Sequence, residues 1–313
     1  MTNTILRRRQ LLTLAGALAA STAGGPVRAA DEPQEVALWP AAPPGTAPAP
    51  GPEKVSSKGS ITRITHPRLR VYRPDKPNGA AALVIAGGGY AHIEAGSEST
   101  PASRWLQSLG VTAFELIYRL PEDGWPRDAP FQDGQRALRV MRARAAEDGL
   151  RDGRIGVLGF SAGGHLAGML ETRPQATRYP SQDQVDSLSA RPDFAGLIYP
   201  VVTFMPPLDR THSRREIVGD HPSEAESAAF SVERLVDGHT PPTFLAQATD
   251  DPISAIDNSR MMFAALQAAH VPSELHVFPS GGHGWGMGRP GTETTTWPNL
   301  FSAWAAKQGF FGA

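Results

Sequence analysis

The chain of 313 residues predicts an α/β architecture: a mostly parallel, doubly wound sheet flanked by helices. Short apolar runs with β-branched members, at 81–86, 111–118 and 155–158, read as buried strands. Longer segments with apolar residues at helical spacing alternate with them, the pattern of successive βα units. Glycine-rich or acidic turns follow several of these runs directly, and in open parallel sheets the carboxyl ends of the strands are where ligands bind.

Taken in order, residues 1–29 read as an export signal. Arg7, Arg8 and Arg9 precede Leu11, Leu12 and an apolar run rich in Ala and Gly, and Val27 and Ala29 suit the −3 and −1 positions of a cleavage site. Paired arginines followed by x-Leu-Leu resemble a twin-arginine signal, so a periplasmic or secreted location is expected after cleavage near Ala29. The apolar run is too short, and too rich in small and polar residues, to span a bilayer well, so no stable membrane anchor is expected. The formal net charge is −1, and setting aside Arg7, Arg8, Arg9 and Arg28 makes the remainder more acidic. Neither nucleic acid nor an anionic membrane is therefore an expected partner. The absence of cysteine rules out disulfides, thiolate metal sites and a cysteine nucleophile.

Residues 30–57 are Pro-rich and predict an extended strap, with an edge strand at 35–39. The catalytic domain is expected over 58–313. Alternation predicts half-buried strands at 61–64 and 69–72. The run 81–86 ends in Gly87-Gly88-Gly89-Tyr90, where glycines let backbone N–H groups face inward. A nucleotide-binding loop fits poorly there, since no G-x-G-x-x-G and no Gly-Lys-Ser/Thr follows. His92-Ile93-Glu94 matches the H-x-E of zinc deaminases, but their cysteines are missing. Helices are expected at 98–109 and 131–149, the second with Asp133 as its cap and Arg136, Arg139, Arg142 and Arg144 on a solvated face paired with acids. After a strand at 194–202, the polar stretch 204–240 reads as a short cap-like insertion covering the site, with a short helix near 224–230. A strand at 242–248, a helix at 256–269, a strand at 275–278 and a helix at 299–307 complete the chain.

The most informative stretch is Arg154–His165. A strand there must turn into a helix through Gly159-Phe160-Ser161-Ala162-Gly163, the G-x-S-x-G pattern. Such a turn is too tight for side chains at its ends and thrusts the serine hydroxyl out above the sheet. Ser161 is then the expected nucleophile. It needs a base to take its proton, and His283, between glycines after the last strand, is placed to be that base. Asp251, fixed by Pro252, would hold the imidazole tautomer, leaving Asp250 as a turn acid. His165, four residues past the serine, should point along the helix and act structurally. The amides of Ala162, Gly88 and Gly89 would form the oxyanion hole. The order Ser, Asp, His along the chain is that of α/β hydrolases.

These pieces, with Leu38-Trp39-Pro40, Ala86-Gly87-Gly88-Gly89-Tyr90, Tyr118-Arg119-Leu120-Pro121, Pro241-Pro242-Thr243-Phe244, Asp250-Asp251-Pro252 and Gly281-Gly282-His283-Gly284, form an ordered set. As a set the chain resembles the α/β-hydrolase esterases related to the hormone-sensitive-lipase group, in the bacterial branch of acetyl xylan and xylanase-associated esterases. The resemblance runs from about residue 35 to the C-terminus. It implies hydrolysis of short acyl esters, often acetyl groups on plant cell-wall carbohydrate, without a cofactor or metal. One departure is Ala86, where lipase-like relatives carry the His of His-Gly-Gly-Gly. Tyr90, His92 and Trp285, with the 204–240 insertion, are candidate pocket walls from their positions. Two other functions fit these residues less well. A serine peptidase of this fold usually carries a large gating domain, for which there is no room. A catalytically silent binding module typically lacks the serine or histidine, and here Ser161, Asp251 and His283 are all present.

Overall fold

The computed structural model of the protein describes residue 1 and residues 32–46 and 51–312. The expected export signal at 1–29 lies, apart from Met1, outside the described residues. Among the described residues no helix is long and apolar enough to cross a membrane.

Residues 33–313 form one compact unit. Its main sheet contains β1 (Gln34–Ala37), β4 (Arg68–Tyr72), β5 (Ala81–Ile85), β6 (Thr112–Ile117), β7 (Ile155–Phe160), β8 (Ala195–Ile198), β9 (Thr243–Ala248) and β10 (Ser273–Phe278). The strand order is β1-β4-β6-β5-β7-β8-β9-β10. From β6 to β10 every pairing is parallel, whereas β1 and β4 run antiparallel at one edge. The turns after β5, β7, β9 and β10 therefore open on one side of the sheet, as the sequence predicts.

Burial on both faces explains why the central strands are apolar throughout. Leu83 and Ile85 of β5 belong to one apolar layer, and Ala82 and Val84 to the other. The first layer is covered by α2 (Ala129–Ala143), α3 (Ala162–Thr172) and α6 (Asp257–Ala268), through Leu138, Met141, Leu166, Met262 and Leu266. The second is covered by α1 (Thr100–Ser108) and α7 (Trp297–Lys307), through Leu106, Phe301 and Trp304.

Several local expectations need correction. The strand at 61–64 lies outside the main sheet: β3 (Ile61–Thr62) pairs with β2 (Lys54–Val55) in a separate hairpin, and Ile61 bridges to Ile93. The strap contributes β1, close to the edge strand expected at 35–39, and β2 of the separate hairpin. The helix expected at 131–149 starts two residues earlier, with Pro130 in its first turn, and ends at Ala143. Asp133 is no cap. It sits fully buried inside α2, accepts the Trp39 indole N–H at 2.8 Å and pairs with the equally buried Arg119 at 2.8 Å. That ion pair ties the Trp39 and Arg119 segments of the sequence pattern to one helix. Arg136 is likewise buried rather than solvated, donating to Leu38 O, Asp183 and Asp186. The 204–240 insertion forms α4 (His212–Val218) and α5 (Glu224–Ala229). The second has a full capping box between Ser223 and Glu226, while the first went unanticipated.

Candidate active site

Ser161 stands between β7 and α3 with φ 51° and ψ −118°, a strained backbone for a residue with a side chain. Packing holds it there. Its N–H donates to Ile198 O at 3.0 Å, and its carbonyl accepts from Val201 N and His165 N, each at 3.1 Å. The flanking glycines answer to close approach. A Cβ on Gly159 would lie 2.3 Å from Gly163 O, and one on Gly163 would lie 2.2 Å from Ile85 O. Only without those atoms can α3 start against the backbone end of β5.

The side chains expected to meet do meet. Ser161 Oγ lies 2.8 Å from His283 Nε2, and His283 Nδ1 lies 2.7 Å from Asp251 Oδ2. Asp251 is buried and held from several sides. Its Oδ1 accepts the amides of Ile253 at 2.8 Å and Ser254 at 2.9 Å, and its Oδ2 accepts Gln247 Nε2 at 3.0 Å. Asp250 has a separate task. Its Oδ1 accepts Gly282 N at 2.7 Å, which draws its carboxyl below the usual range and ties the histidine loop to the end of β9.

Above the serine, the amide of Gly87 is taken by Glu98 Oε2 at 2.6 Å. The amides of Gly88 and Gly89 have no acceptor among the described residues. Ala162 opens α3, so its N–H is one of the donors that a helix leaves unpaired at its start. Gly88, Gly89 and Ser161 line one cavity. Gly88 has φ +112°, and a Cβ there would fall 2.1 Å from His92 O, so no larger residue fits the loop.

Two residues that sequence reasoning passed over brace this arrangement. Glu98, expected only as a helix start, lies in a π-turn (Ala95–Ser99) before α1 and is buried. Its Oε2 holds Gly87, while its Oε1 accepts the Tyr199 hydroxyl at 2.9 Å. That same hydroxyl accepts Gly286 N at 2.9 Å, and the Tyr199 ring meets the His283 ring edge-on with centroids 5.0 Å apart. One carboxyl thus links the glycine loop to the histidine loop. Burial pushes its pKa up to about 7, against the opposing pull of the Gly87 amide and Tyr199. No local sequence signal marks the pair, because the two residues are 101 positions apart.

The serine opens into a cavity of about 620 Å3 lined in part by Gly88, Gly89, His92, Glu94, Val201 and Ile253. His92 is a wall residue, as expected, and is paired with Glu94 at 2.7 Å, which raises its pKa. Tyr90 and Trp285 are not walls, and this corrects both expectations. Tyr90 is fully buried beneath the loop, its hydroxyl 2.8 Å from His165 Nδ1. Trp285 is buried against Tyr199 and Phe278. Each follows glycines whose turns send the larger side chain into the core rather than the cavity. His165 is structural: its Nε2 meets Phe230 O at 2.8 Å, its ring stacks on Phe204, and burial lowers its pKa to about 4. The insertion reaches the cavity through Thr211, His212 and Ser213, none of which carried a sequence signal.

Comparison with known proteins agrees with this fold. The family described as alpha/beta hydrolase fold matches residues 82–287, and the chain belongs to that family. Several of the proteins it is similar to are named as ester hydrolases. The acetyl ester-xyloside bifunctional hydrolase from Caldicellulosiruptor lactoaceticus is similar at 32% identity and a TM-score of 0.78, over 90% of this chain and 98% of that one. The acetylxylan esterase of Xylanibacter ruminicola is 29% identical over 69% of this chain and 43% of its own length. The endo-1,4-beta-xylanase B of Butyrivibrio fibrisolvens is 32% identical over 64% of this chain and 32% of its own. The chain spans less than half the length of these curated relatives.

Proposed function

We propose that the protein is a serine carboxylesterase that removes short acyl groups, acetyl foremost, from carbohydrate esters. The observation that carries this reading is the unbroken chain from Ser161 Oγ to His283 Nε2 at 2.8 Å and from His283 Nδ1 to Asp251 Oδ2 at 2.7 Å. In the proposed reaction His283 Nε2 takes the hydroxyl proton as Ser161 Oγ attacks the ester carbonyl. The carbonyl oxygen becomes an oxyanion facing the amides of Gly88, Gly89 and Ala162, where donors already in place cost no reorganisation. The tetrahedral intermediate collapses, His283 gives its proton to the leaving alcohol, and the acyl group stays on Ser161. Water, activated by His283 in turn, releases the acid and restores the serine. Asp251 holds the proton-bearing Nδ1 and stabilises the imidazolium throughout. None of these steps calls for a cofactor.

The carbohydrate assignment draws support from the acetyl ester and xylan hydrolases that the chain resembles. The test is hydrolysis of nitrophenyl acetate, butyrate and octanoate and release of acetate from acetylated xylan, with Ser161→Ala as control. The expected result is acetate-selective turnover lost in the variant. Equal rates for the two proteins would remove the nucleophile, and a preference for octanoate would remove the acetyl reading.

The proposal includes export. Support comes from the Arg7-Arg8-Arg9 run, the apolar segment after it and the small residues before position 30. The mass of the protein recovered from periplasm or medium should correspond to cleavage near Ala29; recovery of the intact chain from the cytoplasm alone would contradict export.

A further inference from the structure

Beside the Ser161 cavity lies a second groove of about 560 Å3, lined in part by Lys54, Thr62, Arg63, His92, Glu122 and Asp123. Ala91 and His92 line both spaces, so they adjoin across those residues. We propose that this groove is the subsite for the alcohol side of the substrate, and that the alcohol it receives is a carbohydrate chain running away from the scissile ester. The inference rests on the esterase reading above and adds where the sugar lies.

The first argument is chemical. Two cations, two carboxylates and the hydroxyl-bearing Ser56, Ser60 and Thr62 face this groove, and Ala91 is the sole apolar residue among those lining it. An alkyl chain placed here would strip water from the charged groups at a cost. A chain of hydroxyls meets donors and acceptors along its length. The cavity over Ser161 differs, having Val201 and Ile253 in its walls, which suits the small acyl group. The two spaces thus divide an ester between a cavity with aliphatic side chains in its walls and a groove rimmed by charged and hydroxyl-bearing side chains.

The second argument is rigidity, since binding is weakened when walls must be ordered on contact. The β2–β3 hairpin is tied to the loop that carries Gly88 and Gly89. Ile61 and Ile93 exchange both backbone hydrogen bonds at 2.9 Å, and Ser60 Oγ donates to Glu94 Oε2 at 3.3 Å. The opposite wall is tied as well. Asp123 Oδ2 accepts Ile64 N at 3.0 Å, and the Trp125 indole donates to Ile64 O at 2.8 Å. The groove is therefore braced on both sides. At about 560 Å3 the groove is far larger than a methyl or ethyl alcohol fills.

The test compares two substrates across wild type and two variants: an acetylated xylo-oligosaccharide of four residues, which reaches the groove, and 4-nitrophenyl acetate, which does not. Thr62→Trp fills the groove from β3, and Lys54→Ala removes a charge at its rim; unfolding temperature verifies that each is folded. Thr62→Trp is expected to lower kcat/KM on the oligosaccharide by about tenfold, the worth of one good contact, through KM. Lys54→Ala should lower it by a smaller factor, and both should leave nitrophenyl acetate within about twofold of wild type. The proposal is overturned if both substrates fall together, or if neither variant affects the oligosaccharide. It is also overturned if wild type cleaves nitrophenyl acetate but not the oligosaccharide, an outcome that leaves the esterase reading standing. Failure of wild type on both substrates would instead bring down the esterase reading itself.

Discussion

Asp251→Asn separates the two adjacent acids and tests the histidine's tautomer. In the native site Oδ1 of Asp251 accepts two amides, from Ile253 and Ser254, and Oδ2 accepts His283 Nδ1 and Gln247 Nε2. An asparagine has one oxygen, and the two amides claim it. Its NH2 must then face His283 Nδ1 and Gln247 Nε2. Donating to Nδ1, it forces the imidazole proton onto Nε2, which points at Ser161 Oγ, and the base is lost. A triad aspartate replaced in this way costs about four orders of magnitude in kcat, equivalent to about 5–6 kcal/mol in the barrier. The donor facing Gln247 adds about 1–3 kcal/mol of lost stability. The same change at Asp250 should be mild, since an asparagine oxygen can still accept Gly282 N. The assay is kcat on 4-nitrophenyl acetate for both variants, with unfolding followed by urea. Retention of more than about a tenth of wild-type kcat by Asp251→Asn, or a greater loss in Asp250→Asn, would refute the reasoning.

Three further perturbations probe the scaffold. Glu98→Ala leaves the Gly87 N–H and the Tyr199 hydroxyl buried without their partner, costing about 1–3 kcal/mol each, and should lower both the melting temperature and kcat; unchanged values of both would contradict the strut between the two loops. Gly163→Ala drives a Cβ to within 2.2 Å of Ile85 O and 2.5 Å of Ala86 O, so it should displace the start of α3 and abolish turnover, and near-normal kcat would show that the elbow tolerates a side chain. Glu171 is buried, and its pKa is raised by burial from 4.5 to about 8. The folded state therefore keeps a proton that the unfolded state releases, and stability from this group falls as pH rises from about 4.5 to about 8. Urea unfolding should show Glu171→Gln gaining on wild type across that interval, whereas a constant difference would deny the shift.

What could be read from the sequence was local. The strand runs, the G-x-S-x-G elbow and the glycine-flanked His283 announce themselves because each is a short pattern with a steric or chemical reason. Parallel pairing then brings their ends to one side. Partners distant in the chain stayed hidden: Glu98 and Tyr199 look ordinary until the fold joins them, and His212 reaches the cavity from an insertion of polar composition. Charge alone suggests solvent for Arg136, and a polar residue near a helix start suggests a cap for Asp133, yet both are buried. Their burial depends on Asp183, Asp186, Arg119 and Trp39, which arrive from other segments. Tyr90 and Trp285 were misjudged because neighbourhood in sequence to the glycine loops does not fix which way a side chain points.

The claim on which the rest depends is that Ser161 is a nucleophile activated by His283, and covalent trapping tests it most directly. Incubation with a fluorophosphonate, followed by intact-mass and peptide analysis, should give a single adduct located on Ser161. The adduct should be absent from Ser161→Ala and form far more slowly in His283→Ala. Labelling of Ser161→Ala at the wild-type rate, or of His283→Ala as fast as wild type, would contradict the account.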